Sequence, residues 1–380
     1  MRFAIFALTK NGIKLGERLS RKIENASIFA NPKGFKKSVR LAFKKYDGLI
    51  FIMASGIVVR TIAPLLKGKE KDPAVVVMDE KGRFVISLLS GHLGGANILA
   101  KRIATAIGAR PVITTATDVN SLPCIEDIAK RFNLAIEDVK KIKVVNSVIV
   151  NGGRVGFVDG NAKRLKEIKG FVGSRRVPFG RGFRFYKSIS QVQKVNADVF
   201  VIITHNSEPR TMSLRAKGEA SPFIEIASGL KPLAMTTSEL FILRPKDLVV
   251  GIGCDRGVSL KEIETAYFKM LKKFNLYPLS VKNLASIDVK KNEKGLLRFA
   301  KKYNFKIEFY SKNQLAKMPL PSGFSEFVME KVGVGGVCEP AAMKSAGLSL
   351  RTLSRDVKRL LVKKQKIGRV TIAAAQISFS

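Results

Sequence analysis

The chain has 380 residues, which is long enough for two or three domains that each bury a hydrophobic core. Hydrophobic residues make up 46% and charged residues 26%, as is typical of a globular protein, and no apolar run reaches the ~18 residues that a membrane span needs. The chain opens on a strand-like stretch without a signal-peptide pattern, so we expect a cytoplasmic protein.

The net charge is strongly positive, since 68 Lys and Arg residues stand against 30 Asp and Glu and give +38. Such a charge attracts polyanions, either a nucleic acid or a small molecule with many carboxylates, although a high-temperature bias in composition would have the same signature. The basic residues are spread along the chain and no helix-turn-helix, RRM or zinc-finger spacing occurs, which disfavours nucleic acid. The cysteines Cys124, Cys254 and Cys338 are far apart and predict neither a disulfide framework nor a zinc site.

Strand and helix patterns alternate along the first part of the chain, as in an α/β domain. Strands are predicted over residues 2–8, 48–53, 74–78, 84–89 and 111–118, and helices over 11–22, 35–46, 57–63 and 96–107. We expect three domains, over residues 1–125, 126–240 and 241–380. The first and last are predicted to be three-layer α/β domains, and the middle one a smaller α+β domain.

A glycine turn follows the predicted strand at 48–53. Ser55 and Gly56 lead into the helix of Arg60, whose planar guanidinium suits a carboxylate. Open α/β sheets bind ligands at the carboxyl ends of their strands, so we expect this turn to lie beside the later turn that contains His92. The alternative is that Arg60 is an ordinary surface arginine.

Asp79 and Glu80 lie in the turn between the strands at 74–78 and 84–89. A turn of this kind is ordinarily solvated. These two acidic residues nevertheless stand next to the candidate site in a basic protein, where a carboxylate could orient a histidine.

The most informative stretch is the glycine-rich turn between the strand at 84–89 and the helix at 96–107. It contains the candidate residues Ser90, Gly91, His92, Gly94, Gly95 and Asn97. Glycine permits positive φ and close approach of a ligand, and the first N–H groups of a helix favour an anion. His92 is one of two histidines and exchanges protons near neutral pH, although a histidine that only caps or packs a tight turn is the alternative.

A third strand, glycine turn and helix cover residues 248–274. The G-x-G of Gly251 and Gly253 lacks the third glycine of a dinucleotide fingerprint, so we do not predict NAD binding. Ser259 and Glu262 predict a capping box at the helix start. Farther along, Glu339 stands at the predicted positive end of another helix.

These stretches resemble the CbiG family, the cobalt-precorrin-5A hydrolases of anaerobic cobalamin biosynthesis. The similar segments are residues 53–60, 62–66, 71–77, 85–97, 251–254, 336–339 and 361–366. The match is strong at both ends and weak in the middle. The sequence departs from the family pattern at Asp255, where the family has arginine, and at Cys338 and Pro340, where it has alanine.

The resemblance implies opening of the δ-lactone between the ring-A acetate and C20 of cobalt-precorrin-5A. Loss of the C20 fragment as acetaldehyde then gives cobalt-precorrin-5B. Cobalt is carried by the substrate, so no protein-bound cofactor or metal is implied. The implied partner is a polyanionic cobalt corrinoid, with no nucleic acid and no membrane, and a homo-oligomer or transient contacts with neighbouring pathway enzymes stay open.

For this reaction we predict that His92 is the general base, oriented by Asp79 or Glu80, with Glu339 as a reserve acid-base group. The predicted substrate-binding residues are Ser55, Gly56, Arg60, Ser90, Gly91, Gly94, Gly95, Asn97, Cys254 and Arg256. Among them, the main-chain N–H groups near Gly94 and Gly95 and the side chains of Ser55, Ser90 and Asn97 are expected to donate to the oxyanion or to the acetate. A corrinoid carrier without chemistry is the main alternative, and nucleic-acid binding, which rests on charge alone, ranks last.

Overall fold

The computed structural model describes residues 1–68, 71–174, 182–192, 197–207, 240–348 and 359–379. Its contacts form two compact units, one mainly of Met1–Asp127 and the other of most of the chain after it. The described residues build three separate β-sheets with helices between the strands, which confirms the predicted multidomain α/β class. Within those residues, no helix is long and apolar enough to cross a membrane.

The first sheet and six helices lie in the first 131 residues, and the last of these helices runs from the first unit into the second. The strands are β1 (Phe3–Ala7), β2 (Ala26–Ala30), β3 (Gly48–Ile52), β4 (Ala74–Met78), β5 (Phe84–Leu89) and β6 (Arg110–Val112). The helices are α1 (Lys10–Ser20), α2 (Phe35–Lys45), α3 (Ser55–Ile62), α4 (Ala96–Ile107), α5 (Ala116–Val119) and α6 (Ile125–Arg131). The strand order across the sheet is β2-β1-β3-β4-β5-β6.

The central strands β1, β3 and β4 are apolar and buried at every position, so both faces of this sheet need a helical layer. Alternate residues point to opposite faces: Ile5 packs with α1 and α4, whereas Phe6 packs with α2 and α3. The result is the predicted three-layer domain, with α3 on one face and α4 on the other.

The direction of the strands changes in the middle of the first sheet. β1, β2, β3 and β4 are parallel to one another, β5 is antiparallel to β4, and β6 is parallel to β5. The carboxyl ends of β5 and β6 therefore lie at the edge of the sheet opposite the carboxyl ends of the other strands. A five-residue strand separates the two edges by about 17 Å.

The second sheet contains β7 (Leu134–Ile136), β8 (Val155–Asp159), β9 (Phe183–Tyr186), β10 (Val199–Ile203) and β11 (Leu240–Pro245), with helices α7 (Ile142–Val150) and α8 (Ala162–Ser174). Its order is β7-β11-β10-β8-β9, and only β7 is antiparallel to its neighbour. Strand β11 pairs with β10, so this sheet extends past the predicted domain boundary at residue 240. Most of the predicted middle domain after residue 207 lies outside the described residues.

The third sheet contains β12 (Leu248–Cys254), β13 (Val281–Ile287), β14 (Lys306–Tyr310), β15 (Leu360–Ile367) and β16 (Val370–Gln376) in the order β14-β13-β12-β16-β15. Its helices are α9 (Leu260–Lys273), α10 (Lys294–Lys302), α11 (Lys312–Ala316), α12 (Glu326–Val332) and α13 (Cys338–Ser345). The predicted capping box of Ser259 and Glu262 is confirmed at the start of α9. A Cβ atom on Gly251 would overlap the main-chain carbonyl of Cys338, so this glycine lets α13 pack closely against β12.

Candidate active site

The candidate active site lies at the edge of the first sheet where β5 and β6 end. The two strands are parallel neighbours, with Ile86 opposite Val112. The chain segments that follow them therefore emerge side by side. One is the glycine-rich turn around His92, and the other contains Thr115, Thr117 and Asp118.

The turn after β5 is closed by its own main-chain hydrogen bonds. The N–H groups of Gly95, Ala96 and Asn97 donate to the carbonyl oxygens of His92, Ser90 and Gly91, at 3.1, 3.1 and 3.0 Å. These N–H groups are the ones expected to receive an anion at the start of α4. The prediction that the main-chain N–H of Gly95 stabilises an oxyanion is therefore wrong, because that group is already bonded inside the turn.

Two glycines of this turn are required by close packing. A Cβ atom on Gly94 would lie 2.5 Å from Cβ of Ser90 and 3.0 Å from its carbonyl oxygen, and one on Gly91 would lie 2.7 Å from Oδ1 of Asn97. Gly95 has open space around it but a φ of +85°, which side chains rarely adopt. The glycine-rich sequence thus makes a compact turn that fixes the position of His92.

Asn97 lies in the first turn of α4 and is buried, with 4% of its surface exposed. Its Oδ1 atom accepts a hydrogen bond from the Ser87 hydroxyl at 2.6 Å. Its Nδ2 atom donates to Thr115 at 3.1 Å and to the Asp118 carboxylate at 2.8 Å. Asn97 was predicted to bind substrate, and the structure places its amide between the two chain segments of the site.

Both ring nitrogens of His92 have partners within the first unit. Nε2 lies 3.0 Å from the Thr117 hydroxyl and 3.8 Å from the Asp118 carboxylate. Nδ1 lies 3.5 Å from Sγ of Cys124. The imidazole is 15% exposed, and the second oxygen of Asp118 accepts a hydrogen bond from Lys101 at 3.0 Å. The carboxylate beside the imidazole is thus itself held in place by α4.

Cys124 is buried, and burial is the main reason why its pKa is well above the ordinary value. The nearby carboxylates of Glu126 and Asp127 raise this pKa further. The thiol therefore keeps its proton at neutral pH and is a poor nucleophile.

Three side chains of the site have the atoms and the spacing to hold a metal ion. Ligand atoms of His92, Cys124 and Asp127 all lie within 4.8 Å of one another. A nitrogen, a sulfur and a carboxylate oxygen are the atoms that Zn²⁺ uses in proteins. The cysteine spacing did not indicate this set, because its members come from separate parts of the chain.

Ser90 contributes a hydroxyl group that the protein itself does not use. The residue is 9% exposed, and its Oγ atom has no hydrogen-bond partner among the described residues. Its φ is +57°, which is strained for a residue other than glycine. A buried hydroxyl without a partner costs free energy unless a ligand takes the bond.

Asp79 and Glu80 lie at the opposite edge of the sheet from His92. The Asp79 carboxylate accepts hydrogen bonds from main-chain N–H groups of its own hairpin, and Glu80 accepts one from the Thr9 hydroxyl at 2.7 Å. The prediction that either residue orients His92 is wrong, because β5 carries the chain from one edge to the other between them. Asp118 is the carboxylate beside the histidine.

Ser55, Gly56 and Arg60 also lie away from His92. They follow the carboxyl end of β3, at the far edge, and their helix α3 covers the other face of the sheet from α4. The Arg60 guanidinium donates to the Gly56 carbonyl at 3.2 Å within its own helix. The prediction that the two glycine turns share one cleft is wrong, because β4 and β5 are antiparallel.

Cys254, Arg256 and Glu339 belong to the third sheet and its helices. Burial raises the pKa of the half-buried Cys254 thiol to about 11, whereas Arg256 is exposed. The buried Glu339 carboxylate accepts hydrogen bonds from the Ser322 hydroxyl at 2.8 Å, from the Ser322 N–H at 3.2 Å and from the Lys364 N–H at 2.9 Å. These bonds give Glu339 a structural function, and its part in catalysis stays a prediction.

Sequence reasoning missed the residues that contact His92. Thr117, Asp118 and Cys124 were not selected, although the strand predicted at 111–118 ends on polar residues. In the structure β6 stops at Val112, and Thr117 and Asp118 belong to α5. These polar residues become informative only when β6 is known to lie parallel to β5, since strand order decides which loops meet.

The chain is similar to three described families along most of its length. Residues 37–118 match the family described as Cobalamin synthesis G N-terminal. Residues 123–214 match Cobalamin biosynthesis central region, and residues 248–375 match Cobalamin synthesis G C-terminus.

Two relatives carry the name cobalt-precorrin-5A hydrolase. The protein from Priestia megaterium is 35% identical over 393 residues, which cover 99% of this chain and 95% of that protein. The protein from Salmonella typhimurium is 35% identical over 350 residues, which cover 89% and 90%. A crystal structure of a cobalamin biosynthesis protein G homologue from Sulfolobus solfataricus aligns over 99% of this chain and 97% of that one, with 20% identity and a TM-score of 0.36.

Proposed function

Since this chain belongs to the CbiG family of cobalamin synthesis proteins, we propose that it hydrolyses cobalt-precorrin-5A. In this reaction the δ-lactone between the ring-A acetate and C20 opens, and the C20 fragment leaves as acetaldehyde to give cobalt-precorrin-5B. Cobalt enters with the substrate, and no protein-bound cofactor takes part. The observation that carries the proposal is 35% identity over 99% of the chain to a protein of that name.

His92 is the proposed general base. Opening a lactone requires a base that takes a proton from water, and histidine does this near neutral pH. The Asp118 carboxylate, 3.8 Å from Nε2, would stabilise the imidazolium that forms. The Thr117 hydroxyl contacts the same nitrogen at 3.0 Å, so the reacting water must displace this hydroxyl to reach Nε2.

Ser90 is the proposed donor to the oxyanion. Attack on the lactone carbonyl places negative charge on its oxygen, and a preorganised donor in a buried site stabilises that charge. The Ser90 hydroxyl is buried and lacks a partner in the part of the chain that the structure describes, so it is available for this bond.

The second step uses the same base. The hydroxyl group freed on C20 loses its proton, the bond between C20 and the macrocycle breaks, and the carbon–oxygen double bond of acetaldehyde forms. The electron pair of the broken bond stays on the macrocycle, which takes up a proton in turn.

The surroundings of the site suit an anionic macrocycle with apolar faces. Leu93, Ile98 and Val119 are exposed by 38%, 53% and 64%, and each directly follows a polar residue of the site along the chain. The net charge of +38 attracts the many carboxylates of such a substrate. We therefore propose a polyanionic cobalt corrinoid as the partner.

The test is incubation of the purified protein with cobalt-precorrin-5A under anaerobic conditions, with acetaldehyde measured by a coupled alcohol dehydrogenase. We expect His92→Gln to lower the rate by about 10²- to 10⁴-fold while the pigment still binds. His205→Gln is the matched control, since it makes the same change at the other histidine, and its rate should stay within about twofold. Pigment binding without acetaldehyde from the wild-type protein would identify a carrier instead.

A further inference from the structure

We propose that Cys124 and Asp127 hold His92 in the tautomer that carries its proton on Nδ1, so that the basic lone pair lies on Nε2. The catalytic part of this inference rests on the proposed function. Cys124 and Asp127 act through the histidine and are positioning residues. Neither was selected from the sequence.

The hydrogen bonds around the sulfur decide the tautomer. Sγ of Cys124 accepts a hydrogen bond from the main-chain N–H of Asp127 at 3.4 Å, and a carboxylate oxygen of Asp127 lies within 4.8 Å of the same sulfur. We therefore direct the thiol proton toward this carboxylate. A thiol has a single proton to donate. The sulfur therefore faces Nδ1 of His92 as an acceptor at 3.5 Å, and Nδ1 must be the donor.

The opposite tautomer would leave two acceptors facing each other. Nδ1 would present a lone pair to a sulfur whose proton is already committed to Asp127. A thiolate would not resolve this conflict either, because it has no proton to donate to Nδ1.

The other ring nitrogen completes the arrangement. With the proton on Nδ1, Nε2 accepts a hydrogen bond from the Thr117 hydroxyl at 3.0 Å. The chain of bonds runs from Thr117 through His92 and Cys124 to Asp127. In a catalytic triad, too, the group bonded to Nδ1 of the histidine fixes its tautomer, and the wrong tautomer lowers kcat strongly.

A metal ion is the competing use of the same atoms. Zn²⁺ bound to His92, Cys124 and Asp127 would displace the thiol proton and take the lone pair of Nδ1, leaving the proton on Nε2. The two arrangements therefore predict opposite tautomers.

The ¹⁵N chemical shifts of the imidazole nitrogens report the tautomer, and this measurement needs no substrate. The chain has two histidines, so protein labelled with ¹⁵N-imidazole histidine gives two sets of signals, and His205→Gln assigns them. We expect Nδ1 of neutral His92 in the protonated range and Nε2 in the unprotonated range, unchanged by a chelator or by added Zn²⁺. A proton on Nε2, or signals that move with stoichiometric Zn²⁺, would overturn the inference.

A pair of variants tests the role in catalysis. Cys124→Ala removes the acceptor and should lower kcat by about 100-fold with a small change in KM, and should move the pH profile. Cys124→Ser keeps a donor and an acceptor, and should retain the Nδ1 tautomer and most of the activity. If Cys124→Ala only loses stability and keeps the wild-type kcat and pH profile, the positioning role is refuted.

Failure of the two proposals can be told apart. If the wild-type protein releases acetaldehyde but His92 carries its proton on Nε2, only this inference fails. If the tautomer is as expected and no acetaldehyde forms, the proposed function fails and the assignment of the tautomer stands.

Discussion

Asn97 donates a hydrogen bond from Nδ2 to the Asp118 carboxylate over 2.8 Å, and this bond joins the first turn of α4 to the segment that follows β6. Lys101, one turn farther along α4, donates to the other oxygen of Asp118 at 3.0 Å. The start of α4 thus holds the carboxylate that faces His92. Asn97 contributes to the site by placing Asp118.

Asn97→Asp should therefore destabilise the protein, and more strongly at high pH. The variant puts a second carboxylate beside Asp118 and removes a buried donor, which we expect to cost about 3 kcal/mol at pH 8. Repulsion raises the folded-state pKa of the carboxyl pair, so the stability loss should grow as the pH rises and shrink toward about pH 5. Urea unfolding followed by circular dichroism at both pH values measures this.

Asn97→Ala is the matched control for the charge. It removes the same donor, and also the acceptor of the Ser87 hydroxyl, without adding a carboxylate. It should cost about 1–3 kcal/mol, to a similar extent at both pH values. An Asn97→Asp variant with no pH dependence beyond that of Asn97→Ala would show that Asp118 lies farther from residue 97 than the structure places it.

Replacing Ser90 should raise the stability of the protein and lower its activity. Ser90→Gly removes a strained positive φ and a buried hydroxyl without a partner, so we expect a gain of about 1 kcal/mol in the free energy of unfolding. Acetaldehyde release should fall at the same time, by roughly 100-fold, if the hydroxyl stabilises the oxyanion.

Ser90→Ala tells which part of the serine matters. It keeps the Cβ atom and the strained backbone but removes the hydroxyl, so it should lose the same activity as Ser90→Gly without its full gain in stability. Wild-type activity in both variants would exclude the hydroxyl from the reaction.

Local sequence patterns were sufficient to predict the fold class, but they did not predict which residues come together at the site. The alternation of apolar strands and amphipathic helices was sufficient to predict an α/β chain, and the capping box at Ser259 was confirmed. Strand direction is different, because five- and six-residue strands have the same pattern in either direction. The antiparallel β4 and β5 move Arg60 and Asp79 to the edge opposite His92.

The partners of His92 were hidden for a related reason. Thr117 follows in the chain only after α4 and β6, and Cys124 lies 32 positions from the histidine. Nothing within the glycine-rich turn indicates which distant loop will face it. The motif itself identified His92, and the loop after the neighbouring parallel strand supplied the other residues.

Gly94 and Gly95 should respond differently to alanine. A Cβ atom at Gly94 would meet both Cβ and the main chain of Ser90, so Gly94→Ala should shift the turn and cost more than about 2 kcal/mol. Gly95 has open space, and Gly95→Ala should cost only about 1 kcal/mol for its positive φ. Thermal unfolding measures both. Equal losses would mean that the contact between Gly94 and Ser90 is looser than described.

Asp247 and His205 should give the protein two opposing pH dependences. Burial raises the pKa of Asp247 to about 6, and burial together with Arg164 and Arg244 lowers the pKa of His205 to about 4. The folded protein therefore binds the Asp247 proton more tightly than the unfolded chain does, and loses stability as the pH rises from about 4 to 6. It binds the His205 proton less tightly, and loses stability as the pH falls from about 6.5 to 4.

The geometry around Asp247 explains why its charge is poorly compensated. One oxygen of the Asp247 carboxylate accepts a hydrogen bond from Gln376 at 2.8 Å and lies 3.8 Å from the Arg164 guanidinium. That guanidinium makes shorter bonds to the Asp159 carboxylate, at 2.6 and 2.9 Å. The other oxygen has no partner among the described residues. Asp247→Asn should therefore raise the free energy of unfolding by about 2 kcal/mol at pH 7.

The two single variants should change the pH dependence of the free energy of unfolding in opposite directions. With Asp247→Asn, the His205 contribution stands alone, so stability should fall more steeply than in the wild type as the pH drops below about 6.5. With His205→Gln, acidification toward about pH 4 should instead stabilise the protein through Asp247. Chemical unfolding over this range measures both profiles. A profile for Asp247→Asn that runs parallel to the wild type would mean that Asp247 titrates alike in the folded and unfolded states.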